Sequence, residues 1–365
     1  MKVLQISMGE VFGGIEKLEL DILKNIDKSI EIDFLTPNSN PFKNYQVEIK
    51  KYKSNVYDFN LSRKSFINRI KYAYYLNRFL KNNKYDVVHI NSSVFLFSFH
   101  VALISKIRRV GLIIAHSHSI PKMGLIKRII KFIFNPLYVL LVDKFLACSR
   151  EASKSLLINR YVSRCIIIKN GIDIKDYKFN NKLRDKYRRE YGLDKKIVYG
   201  FVGRFEKEKN MLFLINLFSE ITKIQSNSYL LLIGDGSLKG EIESKVIQLN
   251  LLDKVLFLGN ITNVYELLNS MDVFIMPSIS EGLGISLIEA QANGLIVYGS
   301  SSIPNEVVVS NNFKYFNLND NISDIALSIV NSSVSINRNE LYKSVIKSGY
   351  DIKNTCRKLE NIYKS

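Results

Sequence analysis

The chain has 365 residues, 47% hydrophobic and 24% charged, a length that suits two domains of roughly 100–200 residues each. The composition is that of a globular protein, with no low-complexity tract, no short-period repeat and no CxxC pair among its three cysteines, which excludes fibrous and disulfide-framework classes. The net charge of +18 lies wholly in the first half: residues 1–192 hold 35 basic and 16 acidic side chains, residues 193–365 hold 17 and 18. Such asymmetry points to a polyanionic partner, either an anionic membrane or a nucleic acid.

In chain order, short apolar runs alternate with helical patterns. Strands are expected at Val3–Ser7, Ile32–Thr36, Asp86–Ile90, Gly111–His116, Lys144–Cys148 and Cys165–Ile168. Helices are expected between them near Ile15–Ile26, Phe66–Asn82 and Glu151–Asn159. The alternation then restarts, with strands at Ile197–Gly203, Tyr229–Gly234, Val255–Leu258, Val273–Pro277 and Leu295–Tyr298. Helices at Met211–Ser226, Leu238–Leu249, Asn263–Ser270 and Gly284–Asn293 fit between these. Repeated strand–helix–strand order means parallel α/β structure. The expected division is an N-terminal domain 1–172, a linker 173–196 without apolar runs, a C-terminal domain 197–345, and a final helix 346–365 free to pack back on the first domain.

No apolar run reaches the ~20 residues that span a bilayer, and Met1-Lys2 leads straight into a strand pattern, so a cytoplasmic location is expected. The segment Met123–Leu146 places Lys127, Arg128 and Lys131 on one expected helical face and apolar residues on the other. Such a helix can lie in the headgroup layer of a membrane. Arg63–Lys81, with Arg69, Lys71 and Arg78 among tyrosines, could share that docking face.

Several motifs sit at expected strand ends, where α/β sheets bind ligands. Gly13-Gly14 follows the first strand and opens a helix, whose free N–H groups suit an anion. Neither GxGxxG nor a P-loop is present. Gly203-Arg204, followed by Lys209, offers a planar donor fork and a point charge suited to a diphosphate. Gly234 and Gly259 end two further strands and would let backbone lie close to a nucleotide. The most specific run is Pro277 to Ala290. It carries Glu281, Gly282, Leu283, Gly284, Ile285 and Ser286 at a helix start and Glu289 eight positions after Glu281. That spacing is not a metal-ligand pattern, and its carboxylates could accept hydrogen bonds from sugar and ribose hydroxyls.

With these residues in place the chain resembles the family 4 glycosyltransferases of GT-B fold over nearly its whole length. The family's glycine loop matches Gly13-Gly14-Ile15-Glu16 and its mid-domain histidine matches His116, with His118 nearby. Its Asn-Gly-Ile-Asp signature matches residues 170–173, its donor Gly-Arg…Lys matches Gly203, Arg204 and Lys209, and its E-x7-E motif matches Glu281 and Glu289. One departure stands out: Lys209 is followed by Asn210 where the family often has glycine. Within the family the chain is most similar to capsule and exopolysaccharide enzymes.

The resemblance implies two Rossmann-like α/β domains facing each other across a cleft. It implies a retaining hexosyl transfer from a nucleotide-sugar, by default a UDP-sugar, to a lipid-linked saccharide acceptor. Arg204, Lys209 and helix N–H groups would stabilise the leaving diphosphate without a metal or other cofactor. Glu289 would bind ribose, Glu281 the donor sugar, and His116 would orient a hydroxyl. The basic half would then meet an anionic membrane, giving peripheral attachment at the inner face of the cell membrane. The alternatives are a catalytically silent scaffold of the same fold and a basic nucleic-acid-binding protein. No recognised nucleic-acid module occurs, so no nucleic-acid partner is expected.

Overall fold

The computed structural model describes residues 1–9, 12–61, 66–119, 123–332 and 337–365. Arg63 lies outside the described residues, as does the side chain of Arg69. The chain forms two compact units, 1–172 with 351–365, and 173–350.

The first unit holds seven parallel strands: β1 (Lys2–Ser7), β2 (Glu31–Thr36), β3 (Val56–Asp58), β4 (Val87–Asn91), β5 (Leu112–Ser117), β6 (Lys144–Ala147) and β7 (Cys165–Ile167). They lie in the order β3-β2-β1-β4-β5-β6-β7, a doubly wound sheet. Alternate side chains of each strand enter opposite cores, as the pleat requires. Leu4, Ile6, Val88, Ile90, Ile113, Ala115 and Phe145 meet the helices Phe66–Asn82, Phe95–Ile107 and Leu125–Leu141 on one face. Val3, Ile32, Phe34, Val87, Ile114 and Leu146 meet the helices Gly14–Asn25 and Ile352–Tyr363 on the other.

The second unit holds β8 (Ile197–Val202), β9 (Ser228–Ile233), β10 (Val255–Gly259), β11 (Val273–Met276), β12 (Ile296–Ser300) and β13 (Phe313–Phe316). Its parallel order is β10-β9-β8-β11-β12-β13. The helices Met211–Ile224 and Ile322–Asn331 pack together against it.

Two boundaries differ from expectation. Segment 173–196 is no free linker: it forms the helices Ile174–Tyr177 and Asn181–Glu190, which belong to the second unit. Arg184 and Arg188 of the latter fork onto Asp272 at the start of β11, and their remaining donors take backbone carbonyls of 269–271, 193 and 196. Charged side chains thus do the packing that an apolar run would have advertised. The tail expected as one helix over 346–365 is instead parts of two, Tyr342–Lys347 and Ile352–Tyr363, broken at Gly349 with φ +80°. The first stays with the second unit, which runs to Tyr350 rather than 345; the other packs on the first unit.

A third difference concerns the helix Leu125–Leu141. The sequence places Lys131 with Lys127 and Arg128 on the face that meets headgroups, yet it is buried and its ammonium donates to the carbonyls of Lys154 (2.7 Å) and Leu157 (3.4 Å). Asn135 and Tyr138 follow it inward, bonding Leu156 O and the Ser98 hydroxyl. The outward face is the apolar one. Lys127 and Arg128 are exposed.

Candidate functional site

The expected donor residues gather at the carboxyl ends of the strands of the second unit. Gly203 follows β8, Gly234 follows β9 and Gly259 ends β10. The Gly203 N–H donates to Ile233 O (3.0 Å) and the Gly234 N–H to Gly259 O (2.9 Å), so the three glycines form one joined rim. Gly234 has φ +136°, and a Cβ there would stand 1.9 Å from the Gly203 carbonyl oxygen. Only glycine allows this crossing.

The rim presents Arg204 and Lys209. Arg204 is exposed, and its charge adds to the Ser237 hydrogen bonds that hold the Glu206 carboxyl below its usual range. Lys209 closes a single 3-10 turn, and Asn210 after it adopts φ +55°, ψ +46°. This left-handed position suits glycine or asparagine. The departure from the family's Lys-Gly therefore keeps the same turn.

Lys209 pairs with Glu281, which also accepts from the Ser278 hydroxyl (2.7 Å). The Ile279 N–H donates to Glu208 O (2.8 Å) and ties the two loops together. The cation and the carboxylate, 72 residues apart, thus share one place. Gly284, at φ +75°, caps the helix Ile285–Ala292, so the backbone of residues 284–286 opens at that helix start. Leu283 is itself buried, fixing the loop. Glu289, on the body of this helix, is also buried and accepts from the Tyr177 hydroxyl (2.6 Å). Tyr177 could not have been found from the sequence, since it lies in the segment expected to be a linker.

Gly13 and Gly14 lie in the first unit, where Gly13 caps the helix Gly14–Asn25. The Gly13 N–H is already taken by the Glu16 carboxylate (3.0 Å). The Gly13 N–H is thus engaged by a negative charge at this helix end, which opposes a second anion on that group.

His116 does not face solvent. It is 1% exposed in β5, and its Nδ1 lies 3.1 Å from His89 Nε2, whose ring in turn lies 2.7 Å from the Tyr363 hydroxyl through Nδ1. Gln5 Nε2 donates to that hydroxyl (3.4 Å). The direction that gives the Tyr363 O–H an acceptor runs Tyr363 to His89 to His116, leaving His116 Nε2 as an N–H donor. That atom has no partner among the described residues.

His118, beyond the end of β5, is 7% exposed. Its Nε2 donates to Asn91 Oδ1 (3.0 Å) and its Nδ1 lies 3.2 Å from the Asn170 side-chain amide. Asn170 opens the Asn-Gly-Ile-Asp run, and Gly171 after it faces the backbone of Ile352, which a Cβ would meet at 2.7 Å. Asn91 also donates to Glu19 (2.7 Å). Burial holds all three rings neutral at neutral pH: His89 falls to about 3, His118 to about 4, and His116 is also well below its usual value, with neighbouring rings adding to the effect at His89 and His116. Burial likewise raises the Glu19 carboxyl, helped by the charge of Glu16. Among the described residues no group of three or more His, Cys, Asp or Glu side chains is arranged to hold a metal ion.

Two family models match the chain in order: "Glycosyltransferase Family 4" over residues 12–176 and "Glycosyl transferases group 1" over residues 184–350. EpsF of Bacillus subtilis (strain 168), a glycosyltransferase by name, is 30% identical over 99% of this chain and 96% of its own length. An Escherichia coli UDP-Gal:alpha-D-GlcNAc-diphosphoundecaprenol alpha-1,3-galactosyltransferase is 24% identical over 100% of this chain and 96% of its own. The crystal structure of Anabaena HepE in complex with UDP and glucose superposes with a TM-score of 0.80 at 17% identity, covering 100% of this chain and 99% of that one.

Proposed function

The chain belongs to the family 4 glycosyltransferases of GT-B fold, and we propose that it moves a hexose from a UDP-sugar to a lipid-linked saccharide, with retention and without a metal ion. The observation that carries this reading is the convergence of Arg204, Lys209, Glu281 and the helix start at Gly284 on the strand ends of the second unit. Charge grows on the leaving diphosphate as the sugar becomes oxocarbenium-like. Arg204 and Lys209 stand preorganised to offset it, a role a divalent cation fills elsewhere. The N–H groups of residues 284–286 add to them.

Glu281 holds Lys209 before the donor arrives and accepts from donor-sugar hydroxyls afterwards. Glu289, oriented by Tyr177, receives the ribose hydroxyls. On the acceptor side, the buried His116 Nε2–H, without a partner among the described residues, is the group that would orient a hydroxyl once the acceptor reaches it, with His118 beside it (ring centroids 3.9 Å apart). The UDP donor is supported by the UDP in the HepE crystal structure and by the E. coli relative's name. That name also supports the lipid-linked acceptor and retention, because UDP-galactose is itself alpha-linked and the named product is alpha. An exopolysaccharide or capsule product follows from the family resemblance. An acceptor of the diphosphoundecaprenol kind in the E. coli relative's name would have the enzyme work peripherally at the inner face of the cell membrane.

The test is a thermal-shift series with UDP, GDP and ADP and their sugar conjugates, beside Arg204→Ala, followed by a transfer assay with and without EDTA. A bound ligand raises the melting temperature by mass action. A rise with UDP that Arg204→Ala loses, and turnover unchanged by EDTA, are expected. No rise with any nucleotide would remove the donor-site assignment, and loss of turnover in EDTA would remove the metal-free mechanism.

A further inference from the structure

The helix Leu125–Leu141 is turned inside out relative to an ordinary surface helix. Its polar residues Lys131, Asn135 and Tyr138 point into the unit and are hydrogen-bonded there. Its large apolar residues face water: Leu125, Ile126, Phe132, Ile133 and Leu140 are each more than 60% exposed, and Ile129 and Leu137 lie between them. At 3.6 residues per turn these seven form one strip about 24 Å long, with Lys127 and Arg128 falling on either side of it in the first turn. A contiguous exposed apolar surface of this kind marks an interaction site.

Charge selects the occupant. From Phe59 to Val142 the sequence holds 14 Lys and Arg and a single acid, Asp86. Three adjacent helices cover this face of the sheet: Phe66–Asn82, Phe95–Ile107 and Leu125–Leu141. None of them contains an Asp or Glu. On Phe66–Asn82, separated from the strip by Phe95–Ile107, Ile70, Tyr74 and Tyr75 are exposed beside Lys71 and Arg78. A second copy of the chain would bring this cationic rim against itself. An anionic bilayer complements both parts, acyl chains for the strip and headgroups for the rim.

We propose that the helix Leu125–Leu141 inserts its apolar strip into the acyl–headgroup boundary of an anionic membrane. Attachment is then by insertion, with the cations steering, rather than by charge alone. This deepens the membrane placement given above and rests on it. Lys131 serves by facing inward: it fixes the rotation of the helix so that the strip faces out.

Flotation of the full chain with vesicles of phosphatidylcholine containing phosphatidylglycerol, at 0.1 M and 1 M NaCl, tests it. At 1 M salt the Debye length is ~3 Å, so adsorption by charge is stripped while insertion persists. Wild type is expected to float at both. Phe132→Ser with Leu140→Ser should cut the partition coefficient about 100-fold, with an unchanged melting temperature and an unchanged response to UDP. Lys127→Ala with Arg128→Ala should weaken flotation at 0.1 M only. Absence of flotation at 0.1 M, or its complete loss at 1 M, overturns insertion. A self-associating species in sedimentation velocity that the Phe132/Leu140 variant abolishes would assign the strip to a second copy and also overturn it. A UDP response without flotation removes this inference alone; flotation without a UDP response removes the donor-site reading alone.

Discussion

Replacing Gly234 by alanine removes no charged or reacting group, yet it should disable the donor rim. The added Cβ would stand 1.9 Å from Gly203 O and 2.9 Å from Gly203 C. Both are backbone atoms, so no flexible side chain can yield. Restoring a 3.0 Å contact moves the Gly203 carbonyl by about 1.1 Å, and misplacement by ~1 Å can cost ~100-fold in rate. The strand ends resist the movement, because Gly203 is bonded to Ile233 and Gly234 to Gly259. An alanine held at φ +136° adds roughly 1–3 kcal/mol, and overpacking roughly 1–3 kcal/mol more. The sum, ~2–6 kcal/mol, is less than the total stability of most domains. The variant should therefore fold, melt roughly 5–20 °C lower by calorimetry, and lose both its UDP-dependent rise in melting temperature and ~99% of its turnover. Gly240→Ala is the control. Its Cβ meets nothing within 4 Å inside the helix Lys239–Gln248, and it should gain ~0.5–1 kcal/mol. A Gly234→Ala enzyme with wild-type melting and nucleotide response would refute the argument that this crossing positions Arg204.

Two further outcomes are expected. Gly171→Ala drives a Cβ to 2.6–2.8 Å from Thr355 Oγ1 and the Ile352 backbone; strain of ~1–3 kcal/mol should lower the melting temperature and speed proteolytic trimming of the last helix, and unchanged melting would refute the tight contact. The first unit should also be acid-labile. His89, His116 and His118 are depressed below 6.5, so the unfolded chain binds more protons as pH falls below that value, and each ring removes ~1.4 kcal/mol of stability per pH unit until its folded pKa is reached. Glu19, raised by burial, works in the opposite direction as pH falls through its raised value, but is one group against three. Melting measured from pH 7.5 to 5 should therefore fall, and fall less steeply in His89→Gln; a flat profile would refute the neutral-ring assignment.

The sequence made most of the sheet legible, because buried parallel strands are compact apolar runs between longer helices. It hid β3, whose three residues are too few to show a period. It hid the helix Phe95–Ile107, which packs between two other helices and so carries apolar residues around most of its circumference. In the helix Leu125–Leu141 the two-sided pattern was visible, but periodicity identifies a stripe and not which side meets the core. That depended on the carbonyls of Lys154 and Leu157 needing a donor. The donor motifs were legible because they sit in short runs at strand ends. The buried chain Gln5–Tyr363–His89–His116 was not: its members are up to 358 residues apart, and only the folded sheet places them together.

The return of the last helix has a consequence for biosynthesis. The first unit lacks part of one of its layers until Ile352, Cys356, Leu359 and Tyr363 are in place. A ribosome emits the N-terminal sheet first, yet that sheet can close its core only after residues 352–363 have also emerged. The second unit, 173–350, is continuous and can fold as it emerges. The half synthesised first is thus finished last. Until then it carries an open apolar face beside the helix Gly14–Asn25 and a His89 ring without its phenol partner, which makes the nascent N-terminal unit a natural client for chaperones.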